Sequence, residues 1–313
     1  MIMKKVLSIM LILTVCACLF AGCTKKEGND SSETTSTVES EALREETNDL
    51  SSEISSSKNN STSSEISSSN TSSKYTPPTP PTPPTPPRYV KSKVETEGKK
   101  LVAFALDDAP NSITQDLIDV FYDNGAHATF FVVGKNATLA YKQTLNNAID
   151  AGMELGNHSY THTNFTKGST QSEIMNDFIK CQDRVKEYTN YTMKIARLPE
   201  LAGNDTVYSA LSELSLPMIS ATQYTNIHDY RSDFTSDDFI LNVNNSVRDG
   251  VIYCCHNVPN TLEALKTLIP ELKAKGFAMV TVSEMFEAKG LTMPLGAQIR
   301  GTSVVDGSIV TYK

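Results

Sequence analysis

Two acidic residues and two histidines carry the strongest chemical signal in this chain. Asp107 and Asp108 follow the apolar run at residues 101–106, and His158 and His162 lie further along in the sequence H-S-Y-T-H. One carboxylate and two imidazoles form a three-ligand set that suits a divalent metal ion and leaves a position open for water and substrate. The second carboxylate is then free to act as a base toward that water. The pattern predicts metal-assisted hydrolysis.

Alternating short apolar runs and longer amphipathic runs supply the elements that must position these residues. The predicted strands are residues 101–106, 128–133, 153–156, 194–196, 217–220, 251–255 and 277–280. The predicted helices are residues 113–122, 137–151, 171–188, 205–214, 236–248 and 262–275. Three residues are predicted to be helix N-caps: Ser112, Ser236 and Thr261. Three glycines are predicted to follow helix C-termini: Gly125, Gly152 and Gly276.

The number and order of these elements favour a distorted (β/α)7-type barrel of class α/β over two small domains. An open doubly wound sheet is the alternative, but such a sheet normally gathers its ligand residues at one switch point. Polar residues here follow several different strands: Asp107, Asp108, His158, Arg197, Asp229 and His256. In a barrel these strand ends meet on one rim, where catalytic residues are expected.

The N-terminal residues have the pattern of a bacterial lipoprotein signal. Lys4 and Lys5 precede an apolar stretch at residues 6–20, and roughly 15 residues is short for a membrane-spanning helix, which needs about 20. Small residues before Cys23 resemble a lipobox, so residues 1–22 are predicted to be the signal peptide and Cys23 the lipid-modified residue. Ordinary secretory cleavage is the alternative. The predicted location is the outer face of a bacterial cell membrane, with the lipid on Cys23 as the membrane contact.

A stalk is predicted to follow the signal. Residues 23–97 are rich in Ser and Thr and then in Pro, and the Ser- and Thr-rich part buries too little apolar surface to offset its ordering entropy. The Thr-Pro-Pro repeats at residues 76–87 predict an extended polyproline II rod. Recognition of these prolines by a partner domain is the alternative. The folded domain is predicted over residues 98–290, and residues 291–313 form a tail with a short hairpin around Asp-Gly.

The net charge narrows the class of molecule that this protein is expected to bind. The formal net charge is −8, which argues against nucleic acid as a binding partner and is easier to reconcile with a neutral or weakly charged polymer.

Two of the six cysteines lie in the predicted signal and Cys23 is the predicted lipid site, so Cys181, Cys254 and Cys255 remain in the folded domain. An odd number does not support a disulfide framework. Cys254 and Cys255 are interpreted as buried small hydrophobes rather than metal ligands.

Five motif regions together resemble a known family. They are A-L-D-D-A-P at residues 105–110, H-S-Y-T-H at 158–162, R-L-P at 197–199, Asp229 before an aromatic residue, and V-I-Y-C-C-H at 251–256. Over about residues 98–290 the chain resembles the polysaccharide deacetylase family with the NodB homology domain, carbohydrate esterase family 4. It departs from that family at several positions that shape the sugar subsites: Ala109, Glu200, Leu201, Tyr230 and Asn257. These departures bear on the substrate more than on the reaction.

The resemblance implies a role for each motif residue. The implied ligands of one divalent ion, zinc or cobalt, are Asp108, His158 and His162. The implied catalytic residues are Asp107 as base, His256 as acid, Arg197 holding Asp107, and Asp229 supporting His256. The implied activity is removal of acetyl groups from a polysaccharide by a monomer, with O-acetyl xylan and N-acetyl glycans such as peptidoglycan or chitin both open as substrates. A catalytically impaired glycan-binding surface lipoprotein on the same fold is the alternative.

Overall fold

The computed structural model describes residues 87–313. The signal peptide, Cys23 and most of the predicted linker lie outside the described residues. The strands are β1 (Lys100–Ala109), β2 (Thr129–Val132), β3 (Glu154–Asn157), β4 (Met218–Ile219), β5 (Val251–His256), β6 (Phe277–Met279), β7 (Gln298–Thr302) and β8 (Ile309–Tyr312). The α-helices are α1 (Thr114–Asp123), α2 (Lys142–Asp150), α3 (Gln171–Thr189), α4 (Asp205–Glu213), α5 (Ser236–Ser246), α6 (Pro259–Ala274) and α7 (Val282–Ala288). Short 3₁₀ turns lie at Leu139–Tyr141 and Pro199–Leu201. Within residues 87–313, no helix combines the length and apolar character needed to cross a membrane.

The strands form one sheet that curls into a distorted barrel. Its neighbouring strands run in the order β3-β2-β1-β5-β7-β4. Isolated bridges from Asn157 to Ala196 and from Ala196 to Met218 connect the two ends of this path, β3 and β4. The predicted distorted barrel is therefore confirmed, and the open doubly wound sheet is not the fold.

The positions of two strands differ from the sequence prediction. The predicted strand at residues 194–196 is reduced to the single bridging residue Ala196. The predicted last barrel strand, β6, pairs with the beginning of β1 instead of joining the ring beside β5. β7 takes that place, parallel to β4 and antiparallel to β5. The close approach of β7 to the start of β5 requires glycine at position 301, because a Cβ there would lie 2.7 Å from the Gly250 carbonyl oxygen. β8 then pairs antiparallel with β7.

Helix starts also differ in detail from their predicted caps, and the predictions at Ser112, Ser236 and Thr261 are wrong. The N-caps are Ile113, Thr235 and Val258. Of these, only Thr235 caps with its side chain, in a reciprocal capping box with Asp238. Thr261 lies inside α6, where its hydroxyl donates to Asp229. The predicted glycines do follow α1, α2 and α6, with positive φ at Gly125, Gly152 and Gly276. Helix α7 was not predicted.

Alternation along β1 decides which of its residues face the barrel interior. Val102, Phe104 and Leu106 pack in the layer between the sheet and the helices, whereas Leu101, Ala103 and Ala105 pack inside the barrel. Since successive side chains of a strand point to opposite faces, Asp107 continues the inward set. The first acidic residue is therefore delivered to the inner rim by the strand itself.

The chain contacts this domain well before the predicted boundary at residue 98. The ring of Tyr89 meets that of Tyr122 on α1 at 5.1 Å between centroids, edge to face, and its hydroxyl is hydrogen-bonded to Asp119. Val94 packs against the cluster inside the barrel. The last residues of the predicted linker are thus part of the packed structure, because they offer apolar and aromatic side chains that the Ser-rich stretch lacks.

Candidate active site

Asp107 and Arg197 form a buried ion pair at the inner rim. The Asp107 side chain is almost inaccessible and Arg197 is wholly buried. Arg197 Nη1 donates to Asp107 Oδ1 at 2.8 Å and to the Ala105 carbonyl at 3.1 Å, and Arg197 Nε donates to the Ile219 carbonyl at 3.2 Å. Burial is the largest effect and raises the pKa of Asp107, but the Arg197 guanidinium, together with the nearby His158 and His256, outweighs it, so the pKa lies below its usual value. Asp107 is therefore a fixed, ionised carboxylate.

The next residue turns its carboxylate toward the two histidines. Asp108 has φ 66°, a left-handed conformation that Asp tolerates better than most residues. Its Oδ1 lies 3.4 Å from His162 Nε2 and 3.9 Å from His158 Nε2. One ligand atom from each of the three residues lies within 4.8 Å of the others. The predicted metal ligands are thus brought together in space.

The hydrogen bonds of His158 leave one ring nitrogen available as a ligand. Its Nδ1 lies 2.9 Å from the Arg197 carbonyl oxygen, and a carbonyl only accepts, so Nδ1 carries the proton. Nε2 therefore presents its lone pair toward Asp108. Burial lowers the pKa of His158 and favours the neutral ring. The donor set, one carboxylate and neutral imidazole, fits a divalent metal ion.

The H-S-Y-T-H segment is a tight loop rather than a helix, because side chains bind its backbone. Ser159 has φ 64° and its hydroxyl accepts the His162 N–H at 2.9 Å. Asp177 on α3 accepts the N–H groups of Tyr160 and Thr161 at 2.6 and 3.1 Å. These bonds hold His162 over the rim.

His256 lies at the end of β5, the strand that pairs with β1, and is in register with Asp107. Its Nδ1 is 2.7 Å from Asp229 Oδ1, and its backbone N–H donates to Asp229 Oδ2 at 2.7 Å. The Thr261 hydroxyl also donates to Asp229. Burial alone would lower the pKa of His256, but the hydrogen bond to Asp229 and the nearby carboxylates raise it above its usual value. The ring is oriented by Asp229, its Nε2 makes no hydrogen bond within residues 87–313, and it holds a proton readily.

These side chains open onto one cavity of about 480 Å³. Its lining includes five of the predicted site residues: Asp107, Asp108, His158, His162 and His256. Arg197 and Asp229 lie behind them as supports. The other lining residues are Glu200, Leu201, Asn226, His228, Tyr230 and Cys254. The Tyr230 ring meets the His256 ring edge to face, with 4.9 Å between centroids.

Asn226, His228 and Cys254 are the lining residues that the sequence pattern does not place at the site. Cys254 is buried, as predicted, but its Sγ also lies 3.4 Å from Asp107 Oδ2, so the thiol donates a weak hydrogen bond to that carboxylate. A signal was available, because Cys254 precedes His256 by two positions and the two face the same side of a strand. Asn226 stands in a loop that bridges to β5 at Cys254, and no local pattern marks it.

Comparisons with known proteins agree with this geometry. A family model described as polysaccharide deacetylase matches residues 94–219. A bifunctional xylanase/deacetylase of Pseudobutyrivibrio xylanivorans is 32% identical over 203 residues, which cover 64% of this chain and 33% of that protein. The peptidoglycan-N-acetylglucosamine deacetylase PgdA of Listeria monocytogenes is 30% identical over 210 residues, which cover 64% of this chain and 43% of that protein.

A solved structure shares the fold as well. The family 4 acetyl xylan esterase of Clostridium thermocellum, in complex with a cobalt ion, matches with a TM-score of 0.61 at 27% identity, over 66% of this chain and 100% of that one. The similarity spans only a third to less than half of the two curated relatives named above. What is shared with them is one domain.

Proposed function

Because the chain belongs to the polysaccharide deacetylase family, carbohydrate esterase family 4, we propose that it is a metal-dependent hydrolase that removes acetyl groups from a polysaccharide. The observation that carries the proposal is the convergence of three metal-ligand atoms, the ion-paired Asp107 and the proton-holding His256 on one cavity. They come from three separate parts of the chain, β1, the loop after β3, and β5, so their meeting is a property of the fold.

Asp108, His158 and His162 would hold the metal, and zinc or cobalt suits this set of one oxygen and two nitrogen donors. When bound, a divalent ion would lower the pKa of a water molecule and polarise the acyl carbonyl. The solved relative with a cobalt ion supports a metal at this kind of site.

Asp107 is proposed to accept the proton of the attacking water. It is ionised because Arg197 lies 2.8 Å away, and its second oxygen faces the rim with Cys254 as a weak donor. The ion pair lowers its basicity but fixes its position, which a general base needs. Arg197 acts through Asp107 and is a positioning residue.

His256 is proposed to protonate the leaving oxygen or nitrogen of the sugar. Asp229 accepts from Nδ1 at 2.7 Å, so Nε2 points into the cavity, and the raised pKa of His256 keeps a proton available near neutral pH. An amine or alkoxide leaves poorly unless it is protonated. The proposed base and acid thus lie on neighbouring strands, β1 and β5, with Asp107 directly opposite His256.

The acetyl group could be an ester or an amide, and the relatives include a xylanase/deacetylase and a peptidoglycan deacetylase. The test is acetate release by the metal-loaded protein from acetylated xylan, chitooligosaccharides and peptidoglycan. Asp107→Asn should lower the rate by about 10²–10⁴-fold, the usual contribution of a general base. Asp116→Asn, which removes an exposed carboxylate of α1, is the matched control.

No acetate from any of the three polymers, by folded protein that binds metal, would contradict the proposal. Glycan binding without turnover, unchanged by Asp107→Asn, would instead support the non-catalytic binding protein.

We also propose that Cys23 anchors the protein to the outer face of the membrane and that Ser- and Thr-rich residues carry the domain away from it. The lipobox-like residues before Cys23 support this. Cys23→Ser should move the protein from the membrane fraction to the medium, and an unchanged distribution would contradict the anchor.

A further inference from the structure

A second, larger cavity adjoins the active site. Its volume is about 710 Å³, within the roughly 300–1,000 Å³ typical of small-molecule sites. Asn226 and His228 line both cavities. The second cavity extends from there along α5 as far as Arg248. A polymer bound in the active site can therefore continue into it.

The lining groups of this cavity are those that bind sugars. Side-chain amides of Gln223, Asn242 and Asn245 line it, and the Tyr224 ring beside them is 70% exposed. At the junction, the buried Oδ1 of Asn226 has no hydrogen-bond partner among the described residues. A buried acceptor without a partner is costly, so this amide is under-satisfied at the junction of the two cavities.

Within the described part of the chain, the cavity lining also carries one unpaired cation, in contrast to the net charge of −8. Arg231 and Arg248 line it, and no Asp or Glu stands among its described lining residues. Arg231 is already paired with Asp233 at 2.6 Å. Arg248 donates to the Ser246 carbonyl at 3.3 Å and is in none of the ion pairs found within residues 87–313. Its guanidinium is free for a ligand.

We propose that this cavity is a subsite for a carboxylate-bearing sugar unit of the polysaccharide, and that Arg248 binds the carboxylate. The inference rests on the proposed function and narrows its substrate class. A guanidinium fork matches a carboxylate in two parallel hydrogen bonds. The carboxylate has two chemical sources, a uronic acid branch or the lactyl group of a muramic acid unit that carries no peptide, and a neutral homopolymer offers neither.

The test compares matched substrates that differ in the carboxylate. Acetylated xylooligosaccharides are prepared with and without a glucuronic acid branch. N-acetylated oligosaccharides of equal length are prepared from peptidoglycan, with the stem peptides removed, and from chitin. The parent should show a KM about ten-fold lower for the carboxylated member of one pair, the order expected for one charged hydrogen bond. The pair that shows the difference identifies the source.

Arg248→Gln should remove that preference and leave kcat nearly unchanged, while Arg248→Lys retains part of it. Arg184→Gln is the control for loss of an arginine elsewhere, because Arg184 also donates to a backbone carbonyl, at 3.4 Å, and is paired with Glu187 at 3.5 Å, but lies on α3 outside the cavity. Equal KM values for both members of both pairs in the parent would overturn the proposal. So would an Arg248→Gln variant that raises KM equally for neutral and carboxylated substrates.

Calorimetric binding of the deacetylated, carboxylated oligosaccharides separates this inference from the proposed activity. Binding that Arg248→Gln weakens, without acetate release from any substrate, would reject the activity and keep the subsite. Acetate release without any carboxylate preference or Arg248-dependent binding would keep the activity and reject the subsite.

Discussion

The buried ion pair between Arg197 and Asp107 gives the sharpest prediction for stability. Arg197→Met fills a similar volume but leaves Asp107 charged and buried, and it removes the donors to the Ala105 and Ile219 carbonyls. Removing one partner of a buried pair costs about 3–5 kcal/mol, a large part of the about 5–15 kcal/mol that stabilises a domain. Urea unfolding at neutral pH, followed by circular dichroism of the whole chain, should show this loss.

Two further measurements test the electrostatic reason. In the parent, the pKa of Asp107 lies below its usual value, so the stability that the pair contributes is present above the unfolded pKa and is lost as the pH falls through the folded pKa. In Arg197→Met, burial without the cation favours protonated Asp107, so the cost of the substitution should shrink as the pH is lowered. Adding Asp107→Asn to Arg197→Met should restore part of the stability at neutral pH.

The control is Arg231→Met, which breaks an exposed pair whose N···O distance of 2.6 Å is shorter than the 2.8 Å of the buried one. Exposed pairs contribute little because water screens them. If Arg197→Met lowered the free energy of unfolding no more than Arg231→Met, or if Asp107→Asn gave no rescue, the electrostatic explanation would be refuted. Burial would then not explain the contribution of the Arg197–Asp107 pair to stability.

Three other substitutions test separate parts of the structure. Asp108→Ala should abolish tight binding of one zinc or cobalt ion, measured as metal content after dialysis, and an unchanged content would contradict the ligand set. Asp229→Asn should shift the alkaline limb of the kcat profile to lower pH, since the hydrogen bond that helps raise the pKa of His256 is weakened; an unmoved limb would count against His256 as the acid. Gly156→Ala should lower the free energy of unfolding by about 1–3 kcal/mol through overpacking, because its Cβ would overlap the buried Phe131 ring; a neutral effect would contradict the packing.

The motif residues could be placed from the sequence because strand ends of a barrel share a rim. Asp107 and His256 sit at the ends of strongly apolar runs, and the structure pairs them in register. Bringing the metal ligands together also requires the tight loop at Ser159. Small polar residues permit such a loop, but they do not predict it. For these residues, the local sequence pattern predicts the position that the fold gives them.

What the sequence could not show depends on contacts between distant segments. β7 contains Gln298, Arg300 and Gly301, which give no apolar alternation, so only its partners β4 and β5 reveal it as a strand. Asn226 reaches the site because its loop bridges to Cys254. The free Arg248 is likewise invisible in a chain of acidic net charge, because local cation density is a property of the surface and not of the composition.

The position of β7 has a consequence for biogenesis. Synthesis and any export deliver the chain from its N-terminus, so β4 and β5 emerge long before residues 298–302, which lie between them. Until then both strands keep unsatisfied backbone groups along one side, a template for association with other chains. These groups are satisfied only when the segment around Gly301 docks, so a nascent or translocating molecule is protected from its neighbours only after β7 has been added.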